Sequence, residues 1–237
     1  MGGYSSMYSM GYFSSYFLLV VPAILLSLWA QAKVKSAYAA YSQVRTHAGW
    51  TGAQIARRIL DENGLTDVPV EAVAGELTDH YDPQARVVRL SQGVYGGSSV
   101  ASVGVAAHET GHAVQHARGY APLQLRNAII PVTNIGARLS TPVLFLGLIL
   151  GLQGLVTFGI LLFGLMTLFQ LVTLPVEFNA SARAVQTLEA DGVLNEEELA
   201  GTRKVLTAAA LTYVAALIVS AMQLLRLILL YGSRRRR

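Results

Sequence analysis

Three stretches of this 237-residue chain are too apolar and too long to be ordinary soluble helices. The first runs from Tyr12 to Ala30 without a charged residue, the second from about Ile129 to Leu174, and the third from about Val205 to Tyr231. A helix needs roughly 20 apolar residues to cross a bilayer. The first and third therefore fit one span each. The second is too long for one and fits two, joined near Gly151-Leu152-Gln153-Gly154. Its first half carries Asn134 and Arg138, which are costly in lipid, so this span is expected to enter the bilayer only around Ser140. Charged residues are 14% of the chain, against about a quarter in soluble domains, which agrees with a chain largely in lipid.

Four spans place the two polar portions, Gln31 to about Asn127 and about Pro175 to Lys204, on the same side of the membrane. A single crossing between Ile129 and Leu174 would separate them. Lys33 and Lys35 beside the first span favour the cytoplasmic side for the polar portions, while the Arg234–Arg237 tail argues for the other face. The first span usually dominates, so a cytoplasmic placement is expected. Ala30-Gln31-Ala32 looks like a signal-peptidase site, but no basic residue precedes the apolar run, and an uncleaved anchor is the better reading. The Met1-Gly2-Gly3-Tyr4-Ser5-Ser6 match to a myristoylation pattern is weak and redundant beside a span. The Arg tail suits an anionic lipid surface better than a nucleic-acid groove. With no cysteine, disulfides, thiolate metal sites and a Cys nucleophile are excluded.

Within the first polar portion, Thr51-Gly52-Ala53-Gln54 reads as a capping box opening a helix that Gly64 closes. Val68 to Val73 is a β-rich segment. Leu77 to His80 and Arg86 to Leu90 flank the turn sequence Tyr81-Asp82-Pro83-Gln84 and read as a β-hairpin. A free ribbon edge could hold an extended peptide by strand addition, or the hairpin could be purely structural. Ser98 or Ser99 can cap a helix running to about Ala117.

That helix contains His108-Glu109-Thr110-Gly111-His112, the H-E-x-x-H pattern. Residues four apart share a helix face, so both imidazoles can bind one metal ion, with Glu109 beside them to take a proton from a water the ion activates. Ala106, Ala107, Gly111 and Ala113 suggest a buried helix, where a His-Glu-His cluster needs a partner for its charge. Zinc is favoured, with three protein ligands and an open position in a catalytic site. Glu177, in Leu174-Pro175-Val176-Glu177-Phe178-Asn179-Ala180-Ser181, is the stronger candidate for the third ligand. Pro175 can open a helix there, and four spans bring Glu177 to the His108 side. A carboxylate that merely complements the helix dipole is the alternative. His116 extends the i, i+4 series but would not converge on the same ion, and is expected to pack beside the site. Glu196-Glu197-Glu198 reads as the acidic first turn of the last helix, capped by Asn195, and Arg57 and Arg58 as a solvated face.

His-Glu-Thr-Gly-His followed by Glu177-Phe178-Asn179-Ala180-Ser181 resembles the gluzincin pattern. Asp79-His80-Tyr81-Asp82-Pro83, Val88-Arg89-Leu90-Ser91, Pro175 to Ala184 and Ala208-Ala209-Ala210-Leu211-Thr212-Tyr213-Val214, in order, resemble the bacterial membrane "putative neutral zinc metallopeptidase" family over nearly the whole chain. The resemblance implies zinc held by His108, His112 and Glu177, with Glu109 as the catalytic base. Where better-studied relatives have an aspartate orienting a zinc histidine, this chain has Ser181, a weaker acceptor. Arg183, His80, Tyr81 and Tyr213 are candidates for stabilising the oxyanion, Arg183 first among them; its alternative is pairing with Glu189 or Asp191.

The expected protein is a predominantly α, bacterial plasma-membrane protein with a small α+β zincin-like catalytic portion. Its segments are an anchor (1–30), the catalytic portion (31–128), a transmembrane hairpin (129–174), the third-ligand helix (175–204) and a last span with the basic tail (205–237). The expected activity is zinc-dependent hydrolysis of peptide or membrane-protein substrates, with no nucleic-acid partner. A non-catalytic membrane metal scaffold or sensor using the same ligands is the alternative.

Overall fold

The computed structural model describes residues 14–231; the myristoylation-like start, the first residues of the first apolar run and the Arg tail lie outside them. The chain is mostly α-helical, with four helices long and apolar enough to cross a membrane among the described residues. It divides into two units. One holds the chain up to Ala30, Leu125–Thr173 and the chain from Thr212; the other holds Gln31–Gln124 and Leu174–Leu211.

The helices are α1 (Val21–Ser42, entered through a π-helical turn over Tyr16–Val20), α2 (Gly52–Glu62), α3 (Gln92–Tyr95), α4 (Val100–Ala117), α5 (Ala121–Ile149), α6 (Gln153–Ala190) and α7 (Glu196–Tyr231). The strands are β1 (Val70–Val73), β2 (His80–Asp82) and β3 (Val87–Ser91).

In the apolar unit, small residues let helices approach closely, as packing without a hydrophobic driving force requires. A Cβ on Gly159 would lie 2.9 Å from Leu144 Cβ, and one on Gly147 would lie 2.7 Å from the Val156 nitrogen. The α5–α6 turn passes through Gly151 at φ 67°, a left-handed conformation that favours glycine. Thr167 and Ser220 join α6 to α7 by a 2.7 Å hydroxyl bond. The sequence suggested a helix that begins before the span proper, around Asn134 and Arg138; α5 runs unbroken from Ala121, through Pro131 and Pro142.

The second unit is built on a three-stranded sheet in the order β1-β3-β2. β2 and β3 form the expected antiparallel pair, but the first strand lies later than Leu77–His80: Tyr81 and Asp82, read from sequence as turn residues, pair with Val88 and Val87. β1 lies parallel to β3 on its other side, with Val70 opposite Val88. The central strand is the most buried, and Val88 and Leu90 are fully covered. They join Ile55 and Leu60 of α2, Val103 and Ala106 of α4, Leu188 of α6 and Leu206 of α7 in one core. α2 opens with the expected capping box: Thr51 Oγ1 accepts from the Gln54 N–H, and the Gln54 side chain accepts from the Thr51 N–H. Arg57 is not a solvated charge. Its guanidinium donates to the Leu65 and Val68 carbonyls at 2.8 and 2.6 Å, tying down the chain that follows α2.

Pro175 does not open a helix. It lies inside α6, which is continuous from Gln153 to Ala190. An interior proline sacrifices one backbone hydrogen bond, but breaking the helix beside an apolar span would expose several unpaired backbone groups. Asn195 and Glu198 make the reciprocal cap at the start of α7, both bonds 2.9 Å. Glu198 does more than complement the dipole: its carboxylate also accepts from the His47 N–H at 2.6 Å and contacts His47 Nδ1 at 2.8 Å.

Candidate metal centre

α4 is capped by Ser99, whose hydroxyl accepts from the Ser102 N–H at 3.1 Å, and it continues to Ala117. Its interior is almost entirely buried. The small residues of the motif make that burial possible. A Cβ on Gly111 would sit 3.1 Å from the Ala180 carbonyl oxygen, so the helix carrying Glu177 packs against the backbone of α4 itself.

That approach brings the sequence-predicted ligands together within one unit. Glu177 Oε2 lies 3.4 Å from His108 Nε2 and 3.7 Å from His112 Nε2. One donor atom from each of the three residues falls within 4.8 Å of the others. The two imidazoles meet edge to face, with centroids 4.8 Å apart. Glu177 is 2% exposed and His112 8%.

The donor set fits a zinc ion. Zinc takes His nitrogen and carboxylate oxygen at about 2.0–2.2 Å in tetrahedral geometry, which puts neighbouring donors about 3.4 Å apart. The carboxylate–imidazole separations match. The other nitrogen of each ring is engaged elsewhere: His108 Nδ1 with Ser181 Oγ at 3.1 Å, and His112 Nδ1 with Gln115 Oε1 at 2.9 Å. Both Nε2 atoms are thereby directed at Glu177. Ser181 occupies the orienting position that the sequence comparison singled out.

Glu109 follows His108 on the same helix. Burial raises its carboxyl above the ordinary range; the His108 and His112 imidazoles oppose that shift, and the Glu177 and Asp79 carboxylates reinforce it. Asp79 is itself held by Ser91, accepting from its N–H at 2.7 Å and from its hydroxyl.

His116 is not a member of the donor group; its Nδ1 meets the Tyr81 hydroxyl at 2.8 Å, and burial raises the Tyr81 phenol above its usual value. His80 is exposed and its Nδ1 contacts the Thr78 carbonyl at 2.7 Å. Tyr213 belongs to the apolar unit. Arg183 pairs with neither Glu189 nor Asp191. Its Nε donates to Asn179 Oδ1 at 2.8 Å, while Glu189 pairs with Arg203 and Asp191 lies 3.8 Å from Arg58.

Sequence reasoning passed over Gln115 and Asn179. Gln115 is fully buried, one turn past His112, and donates from Nε2 to the Val176 carbonyl and to Asn179 Oδ1, each at 2.9 Å. The available signal was an uncharged amide on the buried face of the motif helix, which requires partners.

The chain is 53% identical over 217 residues, 91% of its length and 96% of the other's, to a Bacillus subtilis (strain 168) protein described as "Putative membrane protease YugP". No solved structure matches it. Residues 16–232 match the family model described as "Putative neutral zinc metallopeptidase", and the chain belongs to that family.

Proposed function

We propose that this protein is an integral-membrane zinc metalloendopeptidase that hydrolyses peptide bonds. The observation that carries the proposal is the convergence of His108, His112 and Glu177, with Glu109 adjacent on the motif helix. Zinc held by the three ligands would supply Lewis acidity toward a substrate carbonyl and lower the pKa of water to about 7.

The chain's own residues supply the rest. The Glu109 carboxylate takes a proton from the attacking water as its oxygen bonds to the carbonyl carbon. The protonated Glu109 then gives that proton to the amide nitrogen as the C–N bond breaks.

Four apolar helices place the protein in a membrane, so membrane proteins and membrane-near peptides are the proposed substrates. Lys33 and Lys35 favour a cytoplasmic active site. Glu109→Gln is the test in detergent-purified protein. It is expected to keep about one zinc per chain and to lose turnover on an unfolded protein substrate by about 10²–10⁴-fold. Undiminished turnover would refute the mechanism and favour the metal-scaffold alternative.

A further inference from the structure

We propose that Gln115, Asn179 and Arg183 form a polar chain whose function is to hold His112 as the tautomer that can bind metal. The inference rests on reading the His108, His112 and Glu177 cluster as a zinc site, and it gives Arg183 a positioning role. The directions of the hydrogen bonds carry it.

Arg183 can only donate, so the Asn179 atom facing its Nε at 2.8 Å must be the amide oxygen. The Val176 carbonyl can only accept, so the Gln115 atom 2.9 Å from it must be the amide nitrogen. That nitrogen also donates to the Asn179 oxygen at 2.9 Å, and the two amides agree in direction. The Gln115 oxygen is then the atom left to face His112 Nδ1 at 2.9 Å, and an amide oxygen can only accept. His112 Nδ1 must therefore carry the proton, which leaves the lone pair on Nε2, the nitrogen facing Glu177.

An unanchored imidazole would divide between tautomers and ring orientations. Here the polarity is imposed from both ends of the chain, by a guanidinium and by a backbone carbonyl. His108 lacks an equivalent device, because Ser181 Oγ, 3.1 Å from its Nδ1, can donate or accept. The assignment predicts that metal affinity depends more on Gln115 than on Ser181.

Zinc affinity is measured by chelator competition on the full-length protein in detergent, together with the visible spectrum of the cobalt-substituted protein and peptidase turnover. Gln115→Leu is expected to weaken zinc binding by about 10- to 100-fold and to alter the cobalt spectrum. Asn179→Leu is expected to do the same more weakly. Asn179→Asp, whose carboxylate can accept from both neighbours, should stay within about threefold of wild type. This pair keeps the test decisive if Gln115→Leu does not fold. Arg183→Leu is expected to lower zinc affinity by about 3- to 10-fold, since it acts through two intervening amides.

Wild-type zinc affinity in Gln115→Leu, or in Asn179→Leu where Gln115→Leu does not fold, would overturn the anchoring role. Unchanged affinity with lowered turnover in Arg183→Leu would overturn its positioning role and make Arg183 a transition-state group. Absence of zinc binding by the wild-type protein would instead refute the metal-site reading itself.

Discussion

Gly111 offers a test of how the third ligand reaches the site. A Cβ added there would sit 3.1 Å from the Ala180 carbonyl oxygen, 3.5 Å from its Cα and 3.6 Å from its carbonyl carbon. Ordinary contact begins at 3.4 Å, so α6 would have to move by about 0.3 Å, and the obstacle is backbone rather than a flexible side chain. Ala180 lies one turn beyond Glu177 on the same helix, so the displacement carries the carboxylate away from His108 and His112. Metal–ligand distances tolerate about 0.2 Å. Gly111→Ala is therefore expected to reduce zinc affinity by about tenfold, equivalent to about 1.4 kcal/mol. Global stability should change less. Alanine contributes up to about 1 kcal/mol of helix propensity, offsetting part of an overpacking cost of about 1–3 kcal/mol. Chelator competition measures the first quantity and thermal unfolding of the metal-free protein the second. Wild-type zinc affinity in Gly111→Ala would refute the argument that this close approach positions Glu177.

Other outcomes follow from the same structure. Glu177→Ala should leave less than one tenth of the wild-type zinc content by elemental analysis, because the remaining two imidazoles cannot complete the site. Chelation of wild-type protein should lower the unfolding midpoint; zinc at 100 times its Kd contributes about 2.7 kcal/mol, and Glu177→Ala should show no such shift. Leu90→Ala, which empties a fully covered position on the central strand, should cost about 2–5 kcal/mol in denaturant unfolding.

Much of this protein is written in local pattern. Long apolar runs must be helices in a bilayer, because each backbone polar group has to be satisfied within its own segment. Ser99, Thr51 and Asn195 cap helices through bonds to residues three positions away, so their roles are legible from neighbours alone. The four-residue spacing of His108 and His112 fixes their common face for the same reason. Glu177 was within reach of sequence because counting spans returned it to the same portion of the chain.

Other features needed the folded molecule. Pro175 carries a local signal to open a helix, yet the continuous apolar helix around it prevails. Gln115, Asn179 and Arg183 acquire a shared purpose only when α4 and α6 pack, because the direction of each hydrogen bond depends on a partner distant in sequence. Glu198 reads as one acid among three, and its bond to His47 exists only because the chain before α2 meets the start of α7. The spans, the helix caps and the motif follow from periodicity and neighbouring residues. The 3.4 and 3.7 Å approach of Glu177 and the orientation of the imidazoles arise only in the fold, since they depend on close packing and on donors meeting acceptors across helices.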